Sequence, residues 1–497
     1  MIPSQPDPQL VKLFTEALSR QTRGDLGPAL LYYRRIQRQY PDFIDGWALA
    51  AALLCELGRF EEALDSAERA VALDGENQAA VYVLASSRLG LGQADEAEAL
   101  LLGLIKAAPS HFQALLDLAD LYAKKGMAAE SREAYDRAVG IRLTDPRHLS
   151  ARGSARLHAL DLPGAEADFK AAMGLGLGDR AMRMRLACLL LLRGSYREAW
   201  RLFVPGMALA TMYENYDTGN TRWDGGPMPG RTLMVRTYHH GFGDVIQFAR
   251  FLPQVKEMSR ARVLLSVYGP ILRLLKGLPG VDGLLVQEKE EPPFDAVINL
   301  FELPMLLDVE STELPPPIVI PPLDDAGFMP ELDRPGFKVG LVWGGNRIHT
   351  MDEHRSMNPR LLDALADMQG VERIAWYGLQ KPPDPEPPRL PGFMDMSPRM
   401  GDFMDTAQIV RRLDLVVSVD TSTLHLAGSL RVPTIAMLPR IPEWRWCLDE
   451  ATPWYPTVRL LRQPRDNDWK GAVELLKAEI ARRAQSRYNE TTAGGLN

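Results

Sequence analysis

The stretch RRLDLVVSVDTSTLHLAGSL, residues 411–430, decides the fold of the C-terminal half of the chain. Its apolar, β-branched run at 413–419 predicts a short buried strand of a parallel sheet. The polar residues Asp420, Thr421 and Ser422 follow, and residues of these types favour the start of a helix, which we expect over 423–430. A helix that begins at the end of a parallel strand presents free backbone N–H groups that suit a phosphate, although many α/β proteins contain such turns for packing alone.

Strand and helix patterns alternate on both sides of this stretch. Strands are predicted at 231–236, 263–267, 284–286, 296–300, 338–343, 374–377 and, as the last one, 434–438. Helices are predicted at 245–258, 270–276, 359–368 and 470–483. A proline-rich segment at 315–336 separates the two series. This alternation predicts two α/β units with parallel sheets, at 231–325 and 336–485.

A period of 34 residues organises the first 206 residues. Apolar residues lie four positions after each small anchor residue, and a glycine lies five positions before each anchor, except for Leu160. The anchors are Ala29, Ala63, Ala97, Ser131, Ala165 and Ala199. The pattern resembles the tetratricopeptide repeat and predicts an α solenoid of six helix pairs over 9–206, in which the small residues let paired helices approach closely.

Solenoids of this kind commonly hold an extended peptide on their concave face. The repeats therefore predict a protein partner, and a purely architectural or self-associating array is the alternative. Residues 207–230 break the period and are dense in Gly, Pro and Asn. We expect them to link the solenoid to the α/β units.

Composition limits the classes of function. The 497 residues carry a net charge of −7 with a pI near 5.8, which argues against binding of nucleic acid. Cys55, Cys188 and Cys447 lie too far apart for a disulfide framework or a zinc ribbon. The chain starts without a signal-peptide pattern, and its longest apolar run, at 186–192, is too short for a membrane span. We expect a soluble cytoplasmic protein without integral membrane contact.

Motifs for metals and for nucleotide hydrolysis are missing from the sequence. The Trp-Gly-Gly-Asn loop at 343–346 lacks the spacing of a P-loop, and no HExxH or Asp-x-Asp motif occurs. We therefore expect no metal site and no bound cofactor. Trp444, Trp446 and Trp454 are suited either to stacking on a base or sugar or to packing in the core.

Two motifs resemble the heptosyltransferase-like glycosyltransferases, whose GT-B fold places two Rossmann-like domains face to face. The first is MVRTYHHGFGDVIQFARFLP at 234–253, and the second is SVDTSTLHLAG at 418–428. The chain is still more similar to bacterial proteins that fuse tetratricopeptide repeats to this domain. That similarity rests on the loop at 343–346, on Asp352 with Arg355-Ser356, on Trp-Arg-Trp at 444–446, on Trp-Tyr-Pro at 454–456 and on Arg-Gln at 462–463.

The resemblance implies metal-independent, inverting transfer of a sugar from a nucleotide-sugar co-substrate. Some members of the resembled group are flagellin glycosyltransferases in which the repeats recruit flagellin. They imply transfer to Ser or Thr of a protein acceptor, with a nonulosonic acid from a CMP donor as the sugar for flagellin. Two alternatives stay open: transfer to a lipid or polysaccharide acceptor, and a protein-binding scaffold that has lost activity.

The resemblance also places the nucleotide-sugar donor on the second α/β unit and the acceptor on the first. Arg355 is then the cation that faces the donor phosphates, unless it only pairs with Asp352 or Glu353. His425 donates to the phosphate or ribose, unless it is a packing histidine. The implied donor-binding residues are Trp343, Asn346, Arg355, Ser356, Asp420, Thr421, Ser422 and His425.

Asp244 is the residue that the resemblance implies as catalytic base. Inverting transfer needs a group that takes the proton of the acceptor hydroxyl, and the Asp of the Gly-Asp motif fills that place in heptosyltransferases. Asp244 could instead only cap the helix that follows it. Relatives commonly carry Glu-Gln before this glycine, whereas this chain has His239 and His240. Either histidine is therefore an alternative base, with a pKa better placed for work near neutral pH.

Overall fold

The computed structural model describes residues 7–494 except 126, 142–143, 207–220, 238–240, 288, 322–328, 347–351, 369 and 382–385. The chain forms two compact units, Met1–Leu177 and Gly178–Asn497. The described part of the first unit is helical, and the second unit holds two parallel sheets that follow two further helices. The predicted order, an α solenoid followed by α/β halves, is confirmed.

The first unit is a series of helical hairpins. Each predicted anchor residue in it, from Ala29 to Ala165, is buried. Its described helices are α1 Pro8–Thr22, α2 Leu26–Gln39, α3 Ile44–Glu56, α4 Phe60–Leu73, α5 Gln78–Gly90, α6 Ala94–Ala107, α7 Phe112–Lys124, α8 Ala128–Val139, α9 Pro146–His158 and α10 Leu162–Gly174. The small anchor residues thus act as the 34-residue period predicts.

The described turns inside these hairpins adopt a left-handed backbone at the glycine position. Gly24, Gly58 and Gly92 adopt φ angles of +84°, +70° and +75° at this position. Leu160, where the glycine pattern fails, adopts the same conformation with a φ of +63°. An L-residue with a Cβ is strained there, so the fifth repeat keeps the turn geometry at an energetic cost.

Leu160→Gly is expected to raise the free energy of unfolding by about 0.5–1 kcal/mol, because relief of the left-handed strain exceeds the extra chain entropy of glycine. Little burial is lost, since Leu160 is exposed. Leu175→Gly is the matched control: Leu175 is also exposed and ends a helix, but with a φ of −90°. Thermal unfolding should show stabilisation by the first change and destabilisation by the second. Equal effects would contradict the strain at Leu160.

The second unit begins with α11 Arg180–Leu192 and α12 Tyr196–Gly206, the helices of the sixth predicted repeat. Tyr196 of α12 stacks on Trp454, with ring centroids 5.8 Å apart. Trp200 meets Trp444 edge-on at 5.4 Å and Phe248 at 5.9 Å. The sixth repeat is therefore part of the core of the second unit.

The first α/β half is a parallel sheet in the order β1-β5-β2-β3-β4. Its strands are β1 Thr221–Arg222, β2 Thr232–Arg236, β3 Arg262–Val267, β4 Gly283–Val286 and β5 Ala296–Asn299. Its described α-helices are α13 Phe242–Phe248, α14 Leu252–Ser259 and α15 Leu303–Leu306. Strand β1 lies within the predicted linker. The helix predicted at 270–276 is wrong, because only a 3-10 turn at Gly269–Ile271 forms there.

The second α/β half is a parallel sheet in the order β11-β10-β9-β6-β7-β8. Its strands are β6 Phe337–Val342, β7 Ile374–Gly378, β8 Met394–Asp395, β9 Leu415–Val419, β10 Thr434–Leu438 and β11 Val458–Arg462. Its described α-helices are α16 Asp352–Arg355, α17 Phe403–Val410, α18 Ser422–Ser429 and α19 Trp469–Gly494. The prediction that 434–438 is the last strand is wrong, since β11 adds to the sheet after it. The helix predicted at 359–368 is a 3-10 helix, Pro359–Asp367.

Shorter 3-10 turns connect several of these elements, at Ala249–Phe251, Leu300–Glu302, Ser311–Glu313, Pro330–Asp333, Val371–Arg373, Ser397–Arg399 and Trp444–Trp446. The central strand β9 is buried along its whole length, and Thr421 adopts an extended backbone before α18 begins. This is the strand–turn–helix that residues 411–430 predict. Among the described helices, none combines the length and the apolar character that a membrane span requires.

Candidate functional site

The two motif turns, one from each α/β half, are in direct contact. Helix α13, which carries Gly243 and Asp244, packs against α18. A Cβ at position 243 would lie 2.6 Å from Cδ2 of His425 and 3.4 Å from Cα of Ser422. Only a glycine lets the two helix starts approach this closely.

Gly243→Ala is expected to lower the free energy of unfolding by about 1–3 kcal/mol, because an added methyl group overpacks the contact. The His425 ring has little room to yield, since it is buried and its Nδ1 lies 3.0 Å from the Tyr455 hydroxyl. Gly269→Ala is the matched control in the same half, because a Cβ there meets open space. Equal thermal stability of the two variants would contradict the tight contact.

Asp244 lies at the start of α13, where both of its carboxylate oxygens have partners. Oδ2 accepts a hydrogen bond from the Gly241 backbone N–H at 2.9 Å, so the side chain does cap the helix. Oδ1 accepts one from Nη2 of Arg445 at 2.5 Å. The side chain keeps a quarter of its surface exposed. It is thus both a cap and one half of an ion pair that joins the two α/β halves.

Arg445 is the centre of the site, although it is not among the residues assigned from the sequence. Its guanidinium donates to Asp244, to Oε1 of Gln247 at 2.5 Å and to Oε1 of Glu443 at 2.5 Å. It also lies 4.3 Å above the Trp444 ring. Burial works against its charge, but the carboxylates of Glu443, Asp244 and Asp420 outweigh burial and raise its pKa. Arg445 therefore stays a cation.

Two further carboxylates face this cation. Desolvation raises the pKa of Asp420, against the pull of Arg445 and Arg355. Desolvation likewise raises the pKa of Glu443 to about 7, with Arg445 opposing the rise and Asp420 adding to it. The site thus collects three acidic groups around two arginines, and Glu443 is poised to gain or lose a proton near neutral pH.

The other predicted donor residues of the 420–425 turn differ in how deeply they are buried. Thr421 and Ser422 are partly exposed at the start of α18, and the Thr421 hydroxyl lies 3.0 Å from that of Ser418. His425 is buried between Gly243, Trp446 and Tyr455. Burial lowers its pKa well below the usual value, and the positive charges of Arg445 and Arg250 add to this shift. His425 is therefore neutral at physiological pH.

The predicted 343–356 residues form a network at the end of β6. The Ser356 hydroxyl donates to Oδ1 of Asp352 at 2.9 Å and accepts from the Gly345 N–H at 2.8 Å. Arg355 pairs with Asp352 at 3.3 Å, as the alternative for it proposes, and its charge also acts on Asp420. The network thus fixes Arg355 beside the 420–425 turn.

Trp343 and Asn346 lie at opposite extremes of exposure. Trp343 is buried in the core of the second half, with its ring centroid 6.4 Å from that of Phe393, whereas Asn346 is exposed. The alternative bases His239 and His240 lie outside the described residues. No group of His, Cys, Asp and Glu that is able to hold a metal occurs within the described parts of the chain.

Arg250 is a second buried cation that the sequence interpretation omits. Its guanidinium donates to the Gln247 carbonyl at 2.8 Å and to the Trp454 carbonyl at 3.0 Å. It also stacks over the Trp454 and Tyr455 rings at 5.2 and 5.1 Å. Arg250 therefore links the segment around Trp454 to α13 through these hydrogen bonds. The three tryptophans of the 444–454 loop are buried, so they pack in the core.

Comparison with known proteins adds to this geometry. A family model described as tetratricopeptide repeat matches residues 82–146. The chain contains tetratricopeptide repeats. It is similar to Protein FlbA of Caulobacter vibrioides, with 23% identity over 506 residues that span 91% of this chain and 81% of that protein.

Solved structures resemble separate parts of the chain. A glycosyl transferase family 9 protein of Veillonella parvula aligns with a TM-score of 0.40 and 12% identity, over 53% of this chain and 99% of that one. A thermophilic tetratricopeptide-repeat protein of Thermus thermophilus aligns with a TM-score of 0.33 and 20% identity, over 37% of this chain and 99% of that one.

Proposed function

We propose that this protein is a glycosyltransferase that moves a sugar from a nucleotide-sugar donor to a Ser or Thr hydroxyl of a protein held by its repeats. One observation carries the proposal: the Gly243-Asp244 turn and the start of α18 are packed together. These are the two motifs that the family resemblance assigns to the acceptor and donor sides. Their contact supports a single site that combines the Asp244 carboxylate with a helix start suited to a phosphate.

The donor side has the charges that a nucleotide phosphate needs. Backbone N–H groups at the start of α18 are oriented for an anion, and the helix dipole favours negative charge there. Arg355 at the end of α16 and Arg445 in the 3-10 turn Trp444–Trp446 both act on Asp420. Planar guanidinium groups bind phosphate oxygens through paired hydrogen bonds. These groups therefore stabilise a phosphate leaving group, and no metal is required by the proposal.

The transfer follows from this arrangement. The acceptor hydroxyl oxygen forms a bond to the anomeric carbon of the donor as the bond from that carbon to the phosphate oxygen breaks. The hydroxyl proton passes to Asp244, and the electron pair of the broken bond stays on the phosphate. Hydrogen bonds from N–H groups and guanidinium to the developing charge lower the barrier.

The repeats supply the acceptor in this proposal. Tetratricopeptide repeats bind proteins, and the sixth repeat is built into the second unit through Tyr196 and Trp200. Flagellin is the first acceptor to test, and a nonulosonic acid from a CMP donor is the first sugar, both on the family resemblance alone.

Calorimetric titration of the full chain with CMP, UDP, GDP and ADP tests the donor site. Wild type is expected to bind at least one of them, and Arg355→Gln should weaken that binding by about tenfold or more, as loss of a charged hydrogen bond does. Arg273→Gln is the matched control, because Arg273 pairs with Asp402 and Asp405 instead. Failure of wild type to bind any nucleotide would support an inactive scaffold.

A further inference from the structure

We infer that Arg445 exchanges partners during the reaction: it holds the Asp244 carboxylate while the site is free, and it turns to the donor phosphate when the donor binds. The release of Asp244 then makes its carboxylate available to the acceptor hydroxyl. This inference rests on the proposed function. It gives Arg445 two tasks, binding of the donor and control of the base.

Both carboxylate oxygens of Asp244 accept a hydrogen bond in the structure. Oδ1 takes the Arg445 hydrogen bond and Oδ2 takes the Gly241 N–H. An acceptor hydroxyl that approaches Oδ1 has to share this oxygen with Nη2 of Arg445, which lies 2.5 Å away. Only 12% of the Arg445 side chain is exposed. Opening of this pair therefore gives an acceptor hydroxyl full access to Oδ1 of Asp244.

The guanidinium of Arg445 is also held by contacts other than the one with Asp244. Nε donates to Gln247 and Nη1 donates to Glu443, while the Trp444 ring lies beneath the plane. Nη2 is the nitrogen that reaches across to Asp244. An anion that takes over Nη2 thus leaves the rest of the frame in place, so the exchange needs no movement of the loop.

Charge balance at the site also favours the exchange. A phosphate that arrives beside Asp244, Asp420 and Glu443 adds negative charge to an acidic site, and Arg445 and Arg355 offset only part of it. Desolvation raises the pKa of Glu443 to about 7, and the charge of Asp420 adds to this rise, so Glu443 carries less than a full negative charge near neutral pH. The site can accept the donor without a further cation.

The exchange sets the order of binding. Before the donor binds, Arg445 holds Oδ1 of Asp244, so an acceptor hydroxyl does not have that oxygen to itself. After Nη2 turns to the phosphate, Asp244 takes the acceptor proton as the new glycosidic bond forms and the phosphate leaves with its electron pair. Departure of the nucleotide restores the Arg445–Asp244 pair. The donor must therefore bind before the acceptor reacts.

Nucleotide affinity of three full-length variants tests the exchange, with the best ligand among CMP, UDP, GDP and ADP as the probe. Asp244→Asn should bind it about threefold to tenfold more tightly than wild type, because no competing ion pair has to open. Arg445→Gln should bind it about tenfold to a hundredfold more weakly. In the double variant the gain from Asp244→Asn should disappear. Arg273→Gln should match wild type.

The outcomes separate the inference from the proposed function. If wild type binds the nucleotide and Asp244→Asn binds it equally well or more weakly, the exchange is overturned and the transferase proposal stands. Absence of nucleotide binding by well-folded wild type would overturn both. If Arg445→Gln fails to fold, the affinity of Asp244→Asn still tests the exchange. Asp244→Asn is expected to fold, because Asn keeps an oxygen that can cap α13.

Discussion

Asp244→Asn is expected to lower the rate of sugar transfer by about a hundredfold to ten-thousandfold, the usual effect of removing a general base. The amide keeps the size of the side chain and an oxygen for the Gly241 N–H, so α13 stays capped. It cannot take a proton from the acceptor hydroxyl. The measurement is the initial rate of transfer to a saturating acceptor, with thermal unfolding as the check on folding.

Asp282→Asn is the matched control for this loss. Asp282 also accepts from a cation, Lys256, at 2.5 Å and from a backbone N–H, that of Val263, at 2.7 Å. It lies in the same α/β half but is not part of the site, so its transfer rate should equal that of wild type. A full rate for Asp244→Asn would remove Asp244 as the base and would leave His239 and His240.

Trp200→Ala is expected to lower the free energy of unfolding of the second unit by about 3–5 kcal/mol, as for other large-to-small changes at buried aromatic residues. Trp200 is 1% exposed. Its ring lies among Trp444, Phe248 and Phe203, with centroids 5.4, 5.9 and 5.2 Å away. Loss of this ring leaves a cavity between α12 and the loop that carries Arg445. Nucleotide affinity should therefore fall together with stability.

Two changes serve as controls for Trp200→Ala. Trp200→Phe keeps most of the aromatic contact and should lose less stability. Trp47→Ala removes a partly exposed tryptophan of the first unit and should leave nucleotide affinity unchanged. Chemical unfolding followed by circular dichroism measures the loss. If Trp200→Ala unfolded at the same denaturant concentration as wild type, α12 would not belong to the core of the second unit.

Local sequence patterns were sufficient for the main architecture. The 34-residue period gave the helix pairs, because each small anchor residue is set by one local contact between helices. The apolar run at 413–419 likewise predicted β9, since a strand that is buried on both faces is recognised by a continuous apolar run alone. The sequence pattern does not predict strand β11, because its apolar residues Val458 and Leu460 alternate with the exposed Arg459. This alternation is expected for a strand at the edge of a sheet.

The site could be predicted only in part, for a physical reason. Asp244 and the 420–425 turn lie in motifs with local signals, a turn followed by a helix start. Arg445 lies in a loop, and it reaches Asp244 across 201 positions of sequence through tertiary packing alone. The signals available were the Trp-Arg-Trp motif at 444–446, which the resemblance includes without giving Arg445 a role, and the tryptophans on both sides of a charged residue, which suggest a loop that is held in place. Gln247 and Arg250, which hold that loop, are ordinary helix residues in the sequence.

Intact-mass measurement of candidate acceptors tests the central claim most directly. Flagellin, and then the other soluble and secreted proteins, should be isolated from cells with the gene, without it, and with Asp244→Ala in its place. We expect an acceptor that loses the mass of one or more sugars in the deletion and regains it with wild type but not with Asp244→Ala. An unchanged mass for every protein in the deletion would contradict transfer to a protein acceptor.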